Sequence, residues 1–253
     1  MSRVLVTGAS AGIGKAFARA LAREGRDLLL VARREERLRT LADEIRNAHG
    51  VCAEITTADL SGPEGVDEVV RGVEESGGKV AGLVNNAGFG LAGPFHELPQ
   101  DEQLDMIQVN VNSLVALTWR LVPKLRRAQD PFVINVASTA AFQAGPGMAV
   151  YYATKAFVLS FSEALHEELK DKGVAVSALC PGPTESEFAA VSGTENTKLF
   201  EAGTMSAEAV VHRSLSRRRR AVVVPGVRNR LLALGSKFSP RSLSRKVAAW
   251  LQS

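Results

Sequence analysis

Tyr151 and Lys155 stand four residues apart. On a helix that spacing puts both side chains on one face, the ammonium one turn along from the phenol. A cation so placed favours phenolate, and would draw a tyrosine down from about 10 towards the range where it trades protons near neutrality. The pair is an acid/base candidate; its plain alternative is a surface pair of the kind many helices carry. Tyr152, three residues before Lys155, is the rival acid, but it faces away from the chemistry if Tyr151 faces it.

A second constellation lies at the N-terminus. In Gly8-x-x-x-Gly12-x-Gly14 the glycines permit a tight turn and a close backbone approach to phosphate, and the helix that follows aims its N-terminal amides at a pyrophosphate. The second strand ends at Ala32 and is followed by Arg33 and Arg34, where NAD-binding folds place a carboxylate for the ribose 2′-hydroxyl. Guanidinium groups there suit a 2′-phosphate, and Ser10 in the turn adds a hydroxyl, so NADP(H) is favoured over NAD(H).

The elements that must position these groups alternate. Strands are expected at Arg3–Val6, Asp27–Ala32, Val51–Thr57, Lys79–Val84, Phe132–Val136, Val174–Leu179 and Ala221–Val224. Helices are expected at Lys15–Glu24, Arg34–Ala48, Gly65–Glu75, Gln100–Arg127 and Tyr151–Lys170. Strands separated by helices of such length form a parallel sheet covered on both faces, so the pattern predicts a Rossmann-type, doubly wound α/β fold of about seven strands, one domain over 1–253. The segment Glu185–Met205 lacks periodicity and reads as a substrate lid.

With those elements in place the sequence resembles the short-chain dehydrogenases/reductases, from Val4 to about Ser186. The family's TGxxxGxG is Thr7 to Gly14, its NNAG is Asn85 to Gly88, and its YxxxK is Tyr151 to Lys155. Its catalytic serine matches Ser138, its helix asparagine Asn110, and its PG motif Pro181-Gly182. Gly82 stands where aspartate is common, and Ser186 replaces the threonine of PGxxxT. The tail is similar to that of a bacterial general-oxidoreductase branch.

The resemblance implies hydride exchange between a nicotinamide and a carbonyl or alcohol. Tyr151 would be the acid, Ser138 would hold the substrate oxygen, Lys155 would hold the nicotinamide ribose, and Asn110 would anchor a water on the proton path. Besides Gly8, Ser10, Gly12, Gly14, Arg33 and Arg34, it implies cofactor contacts from Ile13, Asp59, Leu60, Asn86, Ala87, Gly88, Tyr151, Lys155, Pro181, Gly182, Thr184 and Ser186. Phe89, Leu91, Phe95, Ala140, Phe142, Pro183 and Phe188, with Gln143 and Tyr152, are pocket candidates, and their character points to an apolar small-molecule substrate. The rival reading is a non-catalytic NADP-binding redox sensor that engages a partner through its tail.

Charge is divided unevenly. Residues 209–253 carry eleven Lys or Arg and no acid, a sum of +11, against −7 for 1–208. From about 226 to 253, Leu231, Leu234, Phe238, Leu243, Val247 and Trp250 recur at helical spacing among cations. This stripe is expected to pack on the body or on a sister subunit of a homodimer or homotetramer, with weak association with anionic membrane as the second reading and no nucleic acid. Cys52 and Cys180 are distant and lack metal-ligand spacing, so both read as buried hydrophobes and no metal is implied. No apolar run is long enough to cross a bilayer, and the chain is expected in the cytoplasm.

Overall fold

A computed structural model describes residues 3–195, 197–198 and 203–252. Its chain alternates as expected: β1 (Arg3–Thr7), α1 (Gly12–Arg23), β2 (Asp27–Ala32), α2 (Glu35–His49), β3 (Ala53–Thr57), α3 (Gly65–Glu75) and β4 (Val80–Asn85). Then come α4 (Gln100–Ile107), a π-helical stretch (Gln108–Ser113), α5 (Leu114–Leu125), β5 (Phe132–Val136), a 3-10 turn (Thr139–Phe142), α6 (Ala149–Lys170) and β6 (Ala175–Leu179). The last elements are α7 (Phe188–Ser192), α8 (Ala207–Leu215), β7 (Val222–Val223), α9 (Val227–Phe238) and α10 (Arg241–Gln252).

All seven strands run parallel, in the order β3-β2-β1-β4-β5-β6-β7. Alternate side chains on β1 divide the core: Val4 and Val6 pack with Phe17 and Leu21 of α1 and with Val210 of α8, while Leu5 joins Val69 of α3 and Leu121 of α5 on the other face. The strand order reverses between β1 and β4, and such a switch opens a crevice beyond the C-terminal strand ends. Every motif singled out in the sequence lies at that edge or on a helix facing it.

Gly82 is explained by packing. A Cβ there would lie 2.6 Å from the Phe132 ring and 3.0 Å from Val4 Cγ1, so Phe132 fills the room an aspartate would need.

Three expectations are corrected. The helix expected over Gln100–Arg127 ends at Leu125 and is interrupted by the π-helical stretch that holds Asn110. Cys52 is exposed, because it precedes β3 at the sheet edge; only Cys180 is buried. The C-terminal apolar stripe is not buried on the body, the first of its two expected places: Leu231, Leu234 and Phe238 are exposed, and the small residues Ala233, Ser244 and Ala248 are the buried ones. Among the described residues no helix is long and apolar enough to cross a membrane.

Candidate active site

The glycine turn and the β4 loop are locked together. Thr7 Oγ1 accepts from the backbone amides of Asn86 and Ala87, each at 3.0 Å, and Asn86 Nδ2 donates to the carbonyls of Thr7 and Gly8. Gly8 and Gly12 have φ of +64° and +50°, a region open to glycine, and a Cβ on Gly14 would sit 2.2 Å from the Gly8 carbonyl oxygen. Gly14 thus closes the turn from behind and does not line the cavity.

A second lock lies under the β5 side. Asn85 Nδ2 donates to Thr118 Oγ1 and to Asn135 Oδ1, and Asn135 Nδ2 donates to Ser162 Oγ, all buried. These bonds tie β4 and β5 to α5 and α6, so the Tyr151 turn cannot slide along the sheet without breaking them.

On that base, Asn110 joins three elements. Its Nδ2 donates to the Phe89 carbonyl at 3.0 Å and to Thr154 Oγ1 at 3.1 Å, its Oδ1 accepts from the Phe89 amide, and Thr154 Oγ1 donates to the Tyr151 carbonyl. Gly88 leaves the space, since a Cβ there would meet Asn110 Oδ1 at 2.7 Å. Asn110 is buried, not a solvated helix residue, and stands behind the cavity wall.

Ser138, Tyr151 and Lys155 share that wall. Ser138 Oγ accepts from the Ala140 amide at 3.1 Å, capping the 3-10 turn. Lys155 Nζ donates to the Val136 carbonyl at 2.8 Å and lies 5.8 Å from the centre of the Tyr151 ring. Burial moves the Tyr151 phenol above its ordinary value, with the neighbouring Ser138 hydroxyl acting the other way. The downward pull expected from Lys155 is overturned, because desolvation dominates and the ammonium is bonded to the strand. Burial also lowers Lys155 to about 8. Tyr152 is a buried wall residue whose ring lies 6.1 Å from that of Tyr151.

One cavity of about 630 Å³ joins these groups to the other end of the crevice. Gly8, Ser10, Gly12 and Ile13 line it beside Arg33 and Arg34; Asp59 and Leu60 follow, then Asn86, Ala87 and Gly88 after β4, and Pro181, Gly182, Thr184 and Ser186 after β6. Arg34 Nε and Nη2 donate to Ser10 Oγ at 3.3 and 3.1 Å, and Arg33 lies 3.9 Å from Asp59. The sequence reading missed Arg37 and Glu187. Glu187 accepts from Arg34 Nη1 at 2.8 Å and from Arg37, and these bonds hold its carboxyl below the usual range. Arg37 lies three residues beyond Arg34 in the first turn of α2, a spacing that could have pointed to it; Glu187, some 150 residues away, left no local signal.

Of the pocket candidates, Phe89, Ala140, Pro183, Phe188, Gln143 and Tyr152 line the cavity. Leu91 and Phe142 do not, and Phe95 is 64% exposed on the surface. The segment read as a lid is pinned at its base by Thr184 pairing with Met205, and its Phe188, Val191 and Thr194 face the cavity; Asn196 and residues 199–202 of it lie outside the described residues. Sequence reasoning also missed the outer wall, built by Leu231, Leu232, Leu243 and Val247 of α9 and α10. Asn229 seats α9 over Gly182, where a Cβ would meet it at 2.5 Å.

The profile of the family described as short chain dehydrogenase matches residues 2–197, and the chain belongs to that family. Its seven-stranded parallel sheet and its motifs are those of the short-chain dehydrogenases/reductases. Among curated relatives, the 17-beta-hydroxysteroid dehydrogenase type 3 of Mus musculus is 35% identical over 70% of this chain and 58% of its own length. The chain spans about three fifths of the length of three such relatives, 63%, 58% and 61%. A solved short-chain dehydrogenase from Sphingobium yanoikuyae, in complex with NADPH, superposes with a TM-score of 0.83 at 33% identity, covering 92% of each chain. The 3-ketoacyl-(acyl-carrier-protein) reductase of Brucella melitensis, complexed with NADH, gives 0.77 at 28% identity over 89% of this chain and 96% of its own.

Proposed function

We propose that this protein is an NADP(H)-dependent oxidoreductase that exchanges hydride with the carbonyl or secondary alcohol of an apolar small molecule, with Tyr151 as general acid/base. The observation that carries the reading is the single cavity with Ser10, Arg33 and Arg34 at one end and Ser138, Tyr151 and Lys155 at the other. Its residues fit a phosphorylated dinucleotide: cations at the adenosine end, a glycine turn at a helix N-terminus in the middle, and an ammonium beside the acid. Solved neighbours hold NADPH in one case and NADH in another, so the preference for NADP(H) rests on the arginines.

A nicotinamide cofactor held there supplies or takes the hydride. In the reductive direction the substrate oxygen gains negative charge, and Ser138 and Tyr151 aim two hydroxyls at it. Burial that raises the phenol keeps Tyr151 protonated at neutral pH, the form an acid must have. Lys155 places a cation under the same wall, and Asn110 fixes the Tyr151 turn against the β4 loop. Phe89, Phe188, Leu231 and Val247 give the substrate end an apolar lining.

The family match gives no support to a non-catalytic sensor. Self-association through α5 and α6, as a dimer or tetramer, belongs to the reading because Trp119 is 75% and Phe157 43% exposed. A cytoplasmic location belongs to it too, since an exposed free thiol at Cys52 suits a reducing compartment.

The test is NADPH oxidation against a panel of apolar ketones and aldehydes. Tyr151→Phe should lower turnover by about 10²–10⁴-fold while NADPH binding holds. A variant that turns over an accepted carbonyl at the wild-type rate would remove Tyr151 from the role.

A further inference from the structure

The C-terminal helices present a surface of a different kind. On α9, Val227, Leu231, Leu234 and Phe238 recur every three or four residues and all are exposed, Phe238 to 82%. On α10, Leu243 and Val247 repeat the pattern, and Trp250 continues it with the Lys198 ammonium 4.9 Å from its ring centre. Each set is one helical face. The buried positions go to small residues, Ala233, Ser244 and Ala248, while the large apolar side chains stay exposed, with Leu231, Leu243 and Val247 at the edge of the cavity.

Cations border both faces. Arg228 on α9 and Lys246 on α10 lie beside the stripes and are exposed, Arg241 and Arg245 lie on the far side of α10, and no acidic residue follows Glu208. The basic field continues onto the end of α8: desolvation, then repulsion from Arg213, Arg220 and Arg230, pulls Arg217 below the usual arginine value.

We propose that α9 and α10 dock this protein on an anionic lipid surface, with Leu234 and Phe238 entering the acyl boundary and the flanking Arg and Lys side chains meeting phosphate headgroups. An amphipathic helix with a cationic border lies in the interface plane, where apolar burial and attraction to anionic lipid act together. A second copy of this chain fits the surface less well. Pairing two such faces brings like charges together across the seam, with no carboxylate from either tail to offset them. Nucleic acid would use the cations but leave the apolar stripes in water. Leu231, Leu243 and Val247 also line the outer cavity, so docking would set its mouth at the lipid surface. The proposal depends on neither the cofactor nor the reaction proposed above.

The test is co-sedimentation of the full chain with vesicles of phosphatidylcholine alone and of phosphatidylcholine containing about one third phosphatidylglycerol. The expected result is binding to the anionic vesicles at least about tenfold above the neutral ones, lost as salt rises through roughly 0.5 M. Leu234→Glu and Phe238→Glu, neither in the cavity wall, should each cut that binding about tenfold or more with an unchanged circular dichroism spectrum and melting temperature. Phe238→Ser repeats the measurement should a glutamate variant lose its fold. Absence from both pellets, equal binding to both vesicles, or folded variants that bind like wild type would each overturn the proposal. So would an oligomer that these substitutions dissociate, or retention on a DNA duplex, where the wild type stays off vesicles.

Discussion

The inner wall of the cavity and its outer rim are held by different forces. On the wall, Tyr151 and Lys155 are buried, Lys155 is bonded to the Val136 carbonyl, and Asn110 and Thr154 fix the turn that carries them. The rim, made by α7, α9 and α10, is held by exposed ion pairs such as Glu187 with Arg34 and Arg37, by one asparagine over Gly182, and by alanines. Buried hydrogen bonds fix position to fractions of an ångström, and removing one leaves a costly orphan. Exposed pairs contribute little and exchange readily for other partners. Chemistry that tolerates no displacement lies on the wall; the rim is free to accept a ligand or a surface.

Substitution of Lys155 should test the wall most severely. Burial lowers its folded value from 10.5 to about 8, so the unfolded chain binds the extra proton between those limits. Folding carries this cost below about pH 8, and stability from this group rises as pH climbs from 8 towards 10.5. Lys155→Met keeps the aliphatic stem and should abolish turnover while stabilising the fold by up to about 3 kcal/mol at neutral pH, a gain that shrinks at high pH. Melting curves from pH 7 to about 10.5 check it; a variant less stable at every pH would show that the Val136 bond outweighs desolvation.

At the rim, Arg34→Ala should weaken NADPH binding by about 10- to 100-fold, as expected for lost charge-assisted bonds, and leave NADH binding nearly unchanged. Fluorescence titration with both cofactors decides; equal losses would remove Arg34 from 2′-phosphate recognition. Glu187 should act in the opposite sense. Its carboxylate occupies the guanidinium groups a phosphate would use, so Glu187→Gln should tighten NADPH by roughly 3- to 10-fold without moving NADH. Weaker NADPH binding in that variant would mean that Glu187 buttresses the arginines and does not compete for them.

This contrast also governs what could be read in the sequence. The strand–helix alternation, the Gly8 turn and the Tyr151–Lys155 pair were legible because each is a local spacing, Asn86 and Ser138 only through the family resemblance, and the sheet topology gathers the ends of those strands. The state of Tyr151 was not, because its phenol responds to burial made by distant elements such as Phe188, whose ring lies 5.3 Å away. Nor was the Arg37–Glu187 contact, which joins α2 to the residue before α7. The stripes of α9 and α10 were visible as periodicity, but periodicity does not say which side of a helix meets the body; Ala233 and Ala248 decided that.

The smallest predicted effect concerns the opposite edge of the sheet, at the N-terminal ends of β2, β5 and β7. Asp130, in a left-handed conformation with φ of 49°, accepts from Arg218 at 2.9 Å and pairs with Arg219 and Arg26. Arg218 and Arg219 are thereby anchored to the loop before β5. The Arg218 bond, against a smaller desolvation, holds the Asp130 carboxyl below its ordinary value, so its contribution is present above the unfolded carboxylate range and is lost as pH falls through the folded value. With the side chain about a third exposed, Asp130→Asn should cost only about 1 kcal/mol at pH 7, and less in acid or high salt. Thermal melts at neutral pH and near pH 3 would show the difference closing. A cost that persists in acid would mean that asparagine fails as a backbone substitute at this left-handed position, and that the ion pairs contribute little.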